Sequence, residues 1–229
     1  MDKEFSIRDV VGIRSFREEV AELAGVEMKL ASLSENEVET IVNMIDKMLY
    51  KNANYAVKSL VAENMDLIID VIRAVKAETK QEFAGPRAKG NALTLVDLTA
   101  DVFTYVWGST GATDFETEHT STGAKDYIGT SANPQSIAEE EGMIILGFID
   151  RATIPTVNKV LLTKNGEPYP YQTLDWESVD DFPLAALPEP YIFTPETNFY
   201  IRVNVFRTGI CKMKPVGFKV LQGKNILSL

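Results

Sequence analysis

Between residues 38 and 49 the apolar side chains return every three or four positions: Val38, Ile41, Val42, Ile45, Met48 and Leu49. At 3.6 residues per turn they fall on one stripe, which predicts an amphipathic helix. Ser34 and Glu37 stand just ahead of it at S-x-x-E spacing, so each can cap the backbone N–H of the other and start the helix there. After the polar KNAN, Val57, Val61, Met65, Ile68, Ile72 and Val75 keep the same spacing and predict a second helix. A shorter one is expected over Ile7 to Leu23, ended by Gly25, and no proline occurs before Pro86. The stripes must bury against each other, against the rest of the chain, or against another subunit, and spacing alone does not choose.

Past residue 85 the period drops to two. In DVFTYVWG, Val102, Thr104 and Val106 alternate with Phe103, Tyr105 and Trp107, as in a strand with two differently used faces. MIILGFI is a short continuous apolar run, as expected of a strand covered on both sides. In NKVLLTKNGEPYPYQTL, Asn165-Gly166 separates two strand-like segments; this pair tolerates the positive φ of a type I′ turn and predicts a hairpin. Pro168 and Pro170 cannot donate ladder hydrogen bonds, which makes the second arm an edge strand. NFYIRVNVF and KPVGFKVL supply two more strands. About eight strand candidates with no helical period among them predict an antiparallel sandwich or barrel, and the helices segregated at one end disfavour a parallel α/β sheet. The expected class is α+β, with an N-terminal helical region (1–85) serving for packing or oligomerisation, a Gly/Pro linker (86–92) and an antiparallel β-sandwich domain (93–229).

Composition narrows the chemistry. The chain has 229 residues and a formal charge of −10, which opposes binding to phosphate backbones except through a local basic face. Cys211 is the only cysteine, so no intrachain disulfide forms, and a reducing compartment is expected. The longest apolar run, Met143 to Ile149, is too short to span a bilayer as a helix, and the first twenty residues carry scattered charges where a signal peptide needs an apolar core.

Catalytic motifs are scarce. His119 is the only histidine and lies 92 positions from Cys211, whereas zinc sites need three or four ligands and nucleophilic triads a base. No phosphate loop, dinucleotide fingerprint or H-E-x-x-H occurs. Cys211 in TGICKMK reads as a small half-buried hydrophobe. Asp114, Glu116 and Glu118 alternate and would share a face of a strand, but calcium loops place glycine or asparagine turns between their ligands. No catalytic residue, cofactor or metal site is therefore expected. The polar stretch 108–135 around His119 is expected to form a short hairpin at DFETEHT and an exposed surface available for contacts.

Charge is placed unevenly near the C-terminus. Residues 165–201 hold seven acids and no Lys or Arg, while 202–229 hold six bases and no acid. Such blocks pair across a sheet within one molecule, or form an acidic and a basic edge that meet head to tail between subunits. The interface candidates are Asp175, Glu177, Asp180 and Asp181 on one side, with Arg202, Arg207, Lys212, Lys214 and Lys219 on the other. DWESVDDFPLAALPEPYIFTPET adds aromatic residues and four prolines, expected to hold an extended arm out of any sheet interior. The arm then wraps its own sandwich or reaches onto a neighbour.

In organisation the chain resembles virus coat or capsid proteins of the jelly-roll type. The resemblance covers residues 93–229 and rests on helices ahead of an antiparallel sandwich, a Pro/aromatic arm, a long Thr/Ser/Gly loop and the final TPETNFYIRVNVFRTGICKMKPVGFKVLQGKNI. It implies a jelly-roll-like sandwich and a non-enzymatic structural subunit that self-assembles into a large homo-oligomeric shell. The expected partners are copies of itself and other coat components, with nucleic acid met only through a local basic face and no membrane span. The expected location is the virion, or the cytoplasm if the resemblance fails. The competing expectation is a β-sandwich binding module that recognises a carbohydrate or protein partner through exposed loops and Trp107, Trp176, Tyr169 or Tyr171.

Overall fold

The computed structural model of the chain describes residues 30–52, 55–152, 154–179 and 182–228. The helix expected over Ile7 to Leu23 lies outside them, as do Asp180 and Asp181. Three helices come first: α1 (Glu35–Asn52), α2 (Tyr55–Glu63) and α3 (Met65–Thr79). The capping box forms as the spacing predicts. Glu37 N–H donates to Ser34 Oγ at 3.3 Å, and Ser34 N–H donates to Glu37 Oε2 at 2.8 Å. The second expected helix is broken at Asn64, whose side-chain amide donates to the Leu60 carbonyl at 2.8 Å. Its stripe is nevertheless continuous in space, because Val57, Val61, Met65, Ile68, Ile72 and Val75 are all buried.

Eight principal strands follow: β1 (Leu93–Asp97), β2 (Gly123–Ile128), β3 (Gly142–Asp150), β4 (Val157–Lys164), β5 (Gln172–Thr173), β6 (Phe182–Phe193), β7 (Asn198–Val205) and β8 (Met213–Gln222). One sheet runs β1-β8-β3-β6, the other β5-β4-β7-β2, and every pairing is antiparallel. In chain order the first sheet therefore takes strands one, eight, three and six, and the second takes two, seven, four and five. This is the doubly wound Greek-key order of a jelly roll.

β3 shows why its sequence is apolar throughout. Met143, Ile145 and Phe148 enter the core between the sheets, while Ile144 and Leu146 face the opposite way and pack with Ile41, Ile68 and Ile72 of the helices. The helices thus form a third layer over the outer face of the first sheet, with no independent core. Burying each of these aliphatic side chains stabilises by roughly 1.5–3 kcal/mol. The expected linker at 86–92 is a pinned turn: Gly223 N–H donates to the Ala92 carbonyl and Lys224 N–H to the Gly90 carbonyl.

Other local expectations change. Residues 102–106 give only the short strand Tyr105–Val106 after a 3-10 turn. The Pro/aromatic segment is not a free arm. It forms β6, paired with β3 on one side and with Glu177–Val179 on the other, and Tyr191 and Phe193 are buried in the core. The prolines act locally: the β3 ladder shifts register between Ala186 and Tyr191, the stretch where Pro188 and Pro190 have no N–H to give. The Asn165-Gly166 hairpin is present, with φ of 52° and 84° at its two central residues.

Candidate functional site

The loops after β1, β3, β5 and β7 gather at one end of the sandwich, because alternate connections of a jelly roll emerge together. His119 lies there, in Thr117–His119. That short strand pairs with Gly209–Cys211, ahead of β8, and no hairpin forms around DFETEHT. His119 is only 6% exposed, which corrects the expectation of a surface residue. Its ring packs edge-on against Trp107 with centroids 4.9 Å apart, and Trp107 lies 4.4 Å from Tyr127. Burial, helped by the Lys125 charge, lowers the imidazole's pKa below its ordinary 6.5. The flanking Glu116, Glu118, Thr120, Ser121 and Thr122 remain exposed. Trp107 itself has a positive φ of 52° and is followed by Gly108 at 78°, so the pair turns the hairpin between Tyr105–Val106 and Ser109–Thr110. A bulky residue there is uncommon. Its ring is fixed by His119 and Tyr127, and its indole N–H donates to the Phe115 carbonyl at 3.0 Å.

Cys211 is fully buried, and burial raises the thiol's pKa to about 11. Beside it the Asp150 carboxylate accepts the N–H groups of Ala152 at 2.9 Å and Lys212 at 3.0 Å, fastening the β3–β4 loop to the β7–β8 loop. Burial raises the Asp150 pKa against these two hydrogen bonds. Among the described residues no three His, Cys, Asp or Glu side chains converge on a cation-sized site. At the far end of the sandwich a hollow of about 390 Å³ is lined by Ser131, Thr163, Asn165 and Asn198 with other neutral residues; its lining carries no carboxylate, amine, thiol or imidazole.

The charge blocks resolve differently from a simple pairing. Five of the six bases find carboxylates outside the acidic block. Arg202 meets Asp126 at 3.2 Å directly across the β2–β7 ladder. Lys212 meets Glu116 at 2.9 Å, Lys214 meets Asp97 at 2.6 Å, Lys219 meets Glu141 at 2.9 Å and Lys224 meets Glu140 at 2.8 Å. Lys219 and Glu141 are the most enclosed of these pairs, with side chains 6% and 13% exposed. Arg207 has no ion pair among the described residues and stacks over Phe206 at 5.4 Å.

The acids are left on one open edge. Glu167–Pro168 and β5 both pair with β4 at the rim of the second sheet, while Glu177–Val179 forms the rim of the first. Gln172 ties the rims together by donating to the Glu189 carbonyl at 2.8 Å and accepting the Glu189 N–H at 3.0 Å. Glu167, Asp175, Glu177 and Glu189 are all exposed there and have no ion pair among the described residues. Tyr169 and Tyr171 are exposed on the same edge. Trp176 is half-buried, packs against the core and donates to the Val157 carbonyl at 2.6 Å. Both indoles are therefore committed internally, unlike the two tyrosines.

Sequence reasoning missed one feature. Ile154, Phe206 and Ile210 are 51%, 45% and 51% exposed in the β3–β4 and β7–β8 loops. The two loops are adjacent, because Phe206 N–H donates to the Thr156 carbonyl at 3.0 Å and Gly209 faces the Thr156 methyl. The available signal was Ile154 inside the polar loop RATIPT and Phe206 and Ile210 inside FRTGICK, apolar residues with no periodic pattern to bury them. No protein-family model matches the chain, and no curated protein matches it either.

Proposed function

We propose that this chain is a non-enzymatic structural subunit that assembles with copies of itself into a large shell or coat, as jelly-roll coat proteins do. The observation that carries the reading is the sandwich edge where Glu167, Asp175, Glu177 and Glu189 stand exposed, without an ion pair among the described residues, beside Tyr169 and Tyr171. The cations that follow in sequence are taken up by other carboxylates. Exposed tyrosines beside charged side chains have the make-up of an interface. With five of the six C-terminal bases already paired, a role in contacting packaged nucleic acid has little support. The coat reading places the protein in the virion, with further coat components as neighbours.

Light scattering and negative-stain electron microscopy at low and high salt test the assembly. Particles far larger than the 25.4 kDa chain are expected, with salt weakening contacts made by exposed charges. A strictly monomeric particle at high concentration overturns the reading. The second reading, a binding module for a carbohydrate or protein, is favoured by one observation, the exposure of both Tyr169 and Tyr171 on one segment. Glycan binding by a monomeric chain, lost in Tyr171→Ala, would select it.

A further inference from the structure

Two dissimilar exposed surfaces stand apart on the sandwich, one at its loop end and one along the rim beside β4. At the loop end the adjacent β3–β4 and β7–β8 loops make a tip on which Ile154, Phe206 and Ile210 are exposed, with the Arg207 guanidinium stacked on the Phe206 ring. Along that rim the segment after β4 presents Tyr169 and Tyr171, with Glu167 on the same hairpin and Glu189 held beside it through Gln172. One surface is apolar and carries the Arg207 cation, with exposed Glu118 opposite Ile210; the other is aromatic and anionic. Each lacks within its own molecule what the other provides: among the described residues Arg207 has no carboxylate partner, and Glu167 and Glu189 have no cation.

From this we infer that the tip of one copy docks on the acidic tyrosine edge of a second copy. The inference rests on the assembly reading and names its contact. Aromatic residues and arginine are over-represented among the few side chains that dominate binding energy, and an apolar centre with a charged rim is the usual make-up of a specific interface. A complementary charge on a chain of net charge −10 also selects orientation, since edge-to-edge approach sets carboxylate against carboxylate. Because the two surfaces differ, the contact is head to tail. It repeats from copy to copy until a rotation closes it into a ring or a shell.

The test uses the full chain in sedimentation velocity, read as the concentration at which association is half complete. Phe206→Asp with Ile210→Asp, Arg207→Glu alone, and Glu167→Lys with Glu189→Lys are three variants whose altered side chains are exposed, and thermal melting checks that each still folds. Each is expected to raise that concentration by about tenfold or more. An equimolar mixture of the Arg207→Glu chain with the Glu167→Lys, Glu189→Lys chain is expected to recover association. In that mixture the glutamate tip of one chain meets the lysine edge of the other, a pairing that neither chain makes with itself. If the wild type associates and the tip variants associate at the same concentration, the inference is overturned and the assembly reading stands. Failure of the mixture to recover overturns the pairing of tip with edge. A monomeric wild type overturns the assembly reading and this contact with it.

Discussion

Replacing Glu37 by glutamine removes one charge from the joint between α1, α3 and the chain leading into β1. The Glu37 carboxylate accepts from Lys76 Nζ at 2.7 Å on both oxygens, from Phe83 N–H at 2.9 Å and from Ser34 N–H at 2.8 Å. Burial opposes its charge, but the Lys76 ammonium and the Phe83 and Ser34 donors outweigh it and hold the pKa at about 2, against an ordinary 4.5. At about 1.4 kcal/mol per pH unit, that preference for the ionised form is worth about 3 kcal/mol at neutral pH. Glu37→Gln keeps the shape and one acceptor oxygen but leaves the Lys76 ammonium without its carboxylate, so a loss of this order is expected at pH 7. The pH dependence has a definite sign. Below pH 4.5 the unfolded chain takes up a proton at this position while the folded chain does not until about pH 2, so stability falls with pH across that window. Urea denaturation followed by circular dichroism at pH 7, 5, 4 and 3 measures both effects. The gap between wild type and variant should be full at pH 7, nearly so at pH 5, and close progressively below that. A gap under about 1 kcal/mol at pH 7, or one unchanged at pH 3, refutes the reasoning.

Three further outcomes follow from the structure. Gly217→Ala would drive a Cβ far inside contact distance of the Ile144 carbonyl oxygen on the adjacent strand; a loss of at least about 3 kcal/mol, at the upper end for overpacking, is expected, and a thermal melt within a few degrees of wild type would contradict that packing. The His119 imidazole should titrate below pH 6.5 in the folded protein, because burial and Lys125 disfavour its cation. Stability attributable to it then declines as pH drops below 6.5, where the unfolded chain protonates first; a ring NMR titration with a midpoint at or above that value would contradict this. Cys211, buried and with its pKa pushed up to about 11, should resist a disulfide reagent at about pH 8 until denaturant is added, and rapid labelling of the native protein would place the thiol elsewhere.

The features legible in the sequence are those whose physics is local. Ser34 and Glu37 cap each other because three residues separate them in any helix start. Asn165-Gly166 turns because those two residues tolerate positive φ. MIILGFI had to be covered on both faces, because alternation sends apolar side chains each way. The order of helices then strands likewise carried the α+β class. Beyond that reach, period names a buried face but not what covers it. The helical stripe of Val57 to Val75 allowed three partners, and only the fold assigned it to the outer face of the first sheet.

For the candidate contact surface the division is similar. The unequal charge blocks are visible as sequence, and they mark Asp175, Glu177 and Arg207 without reference to the fold. Neighbouring blocks do not pair merely by adjacency, however. Jelly-roll winding sets Arg202 opposite Asp126, Lys214 beside Asp97 and Lys219 beside Glu141, all distant along the chain. The same winding brings Thr117–His119 alongside Gly209–Cys211 and buries a histidine that its polar neighbours had suggested was exposed. Sequence by itself determined the helices-then-strands order, the Asn165-Gly166 turn, the Ser34–Glu37 cap and the supply of charge, because those follow from side chains a few positions apart. Tertiary structure alone decided which charges are spent within the molecule and which stay open, because an ion pair depends on separation in space, and strand order sets that separation.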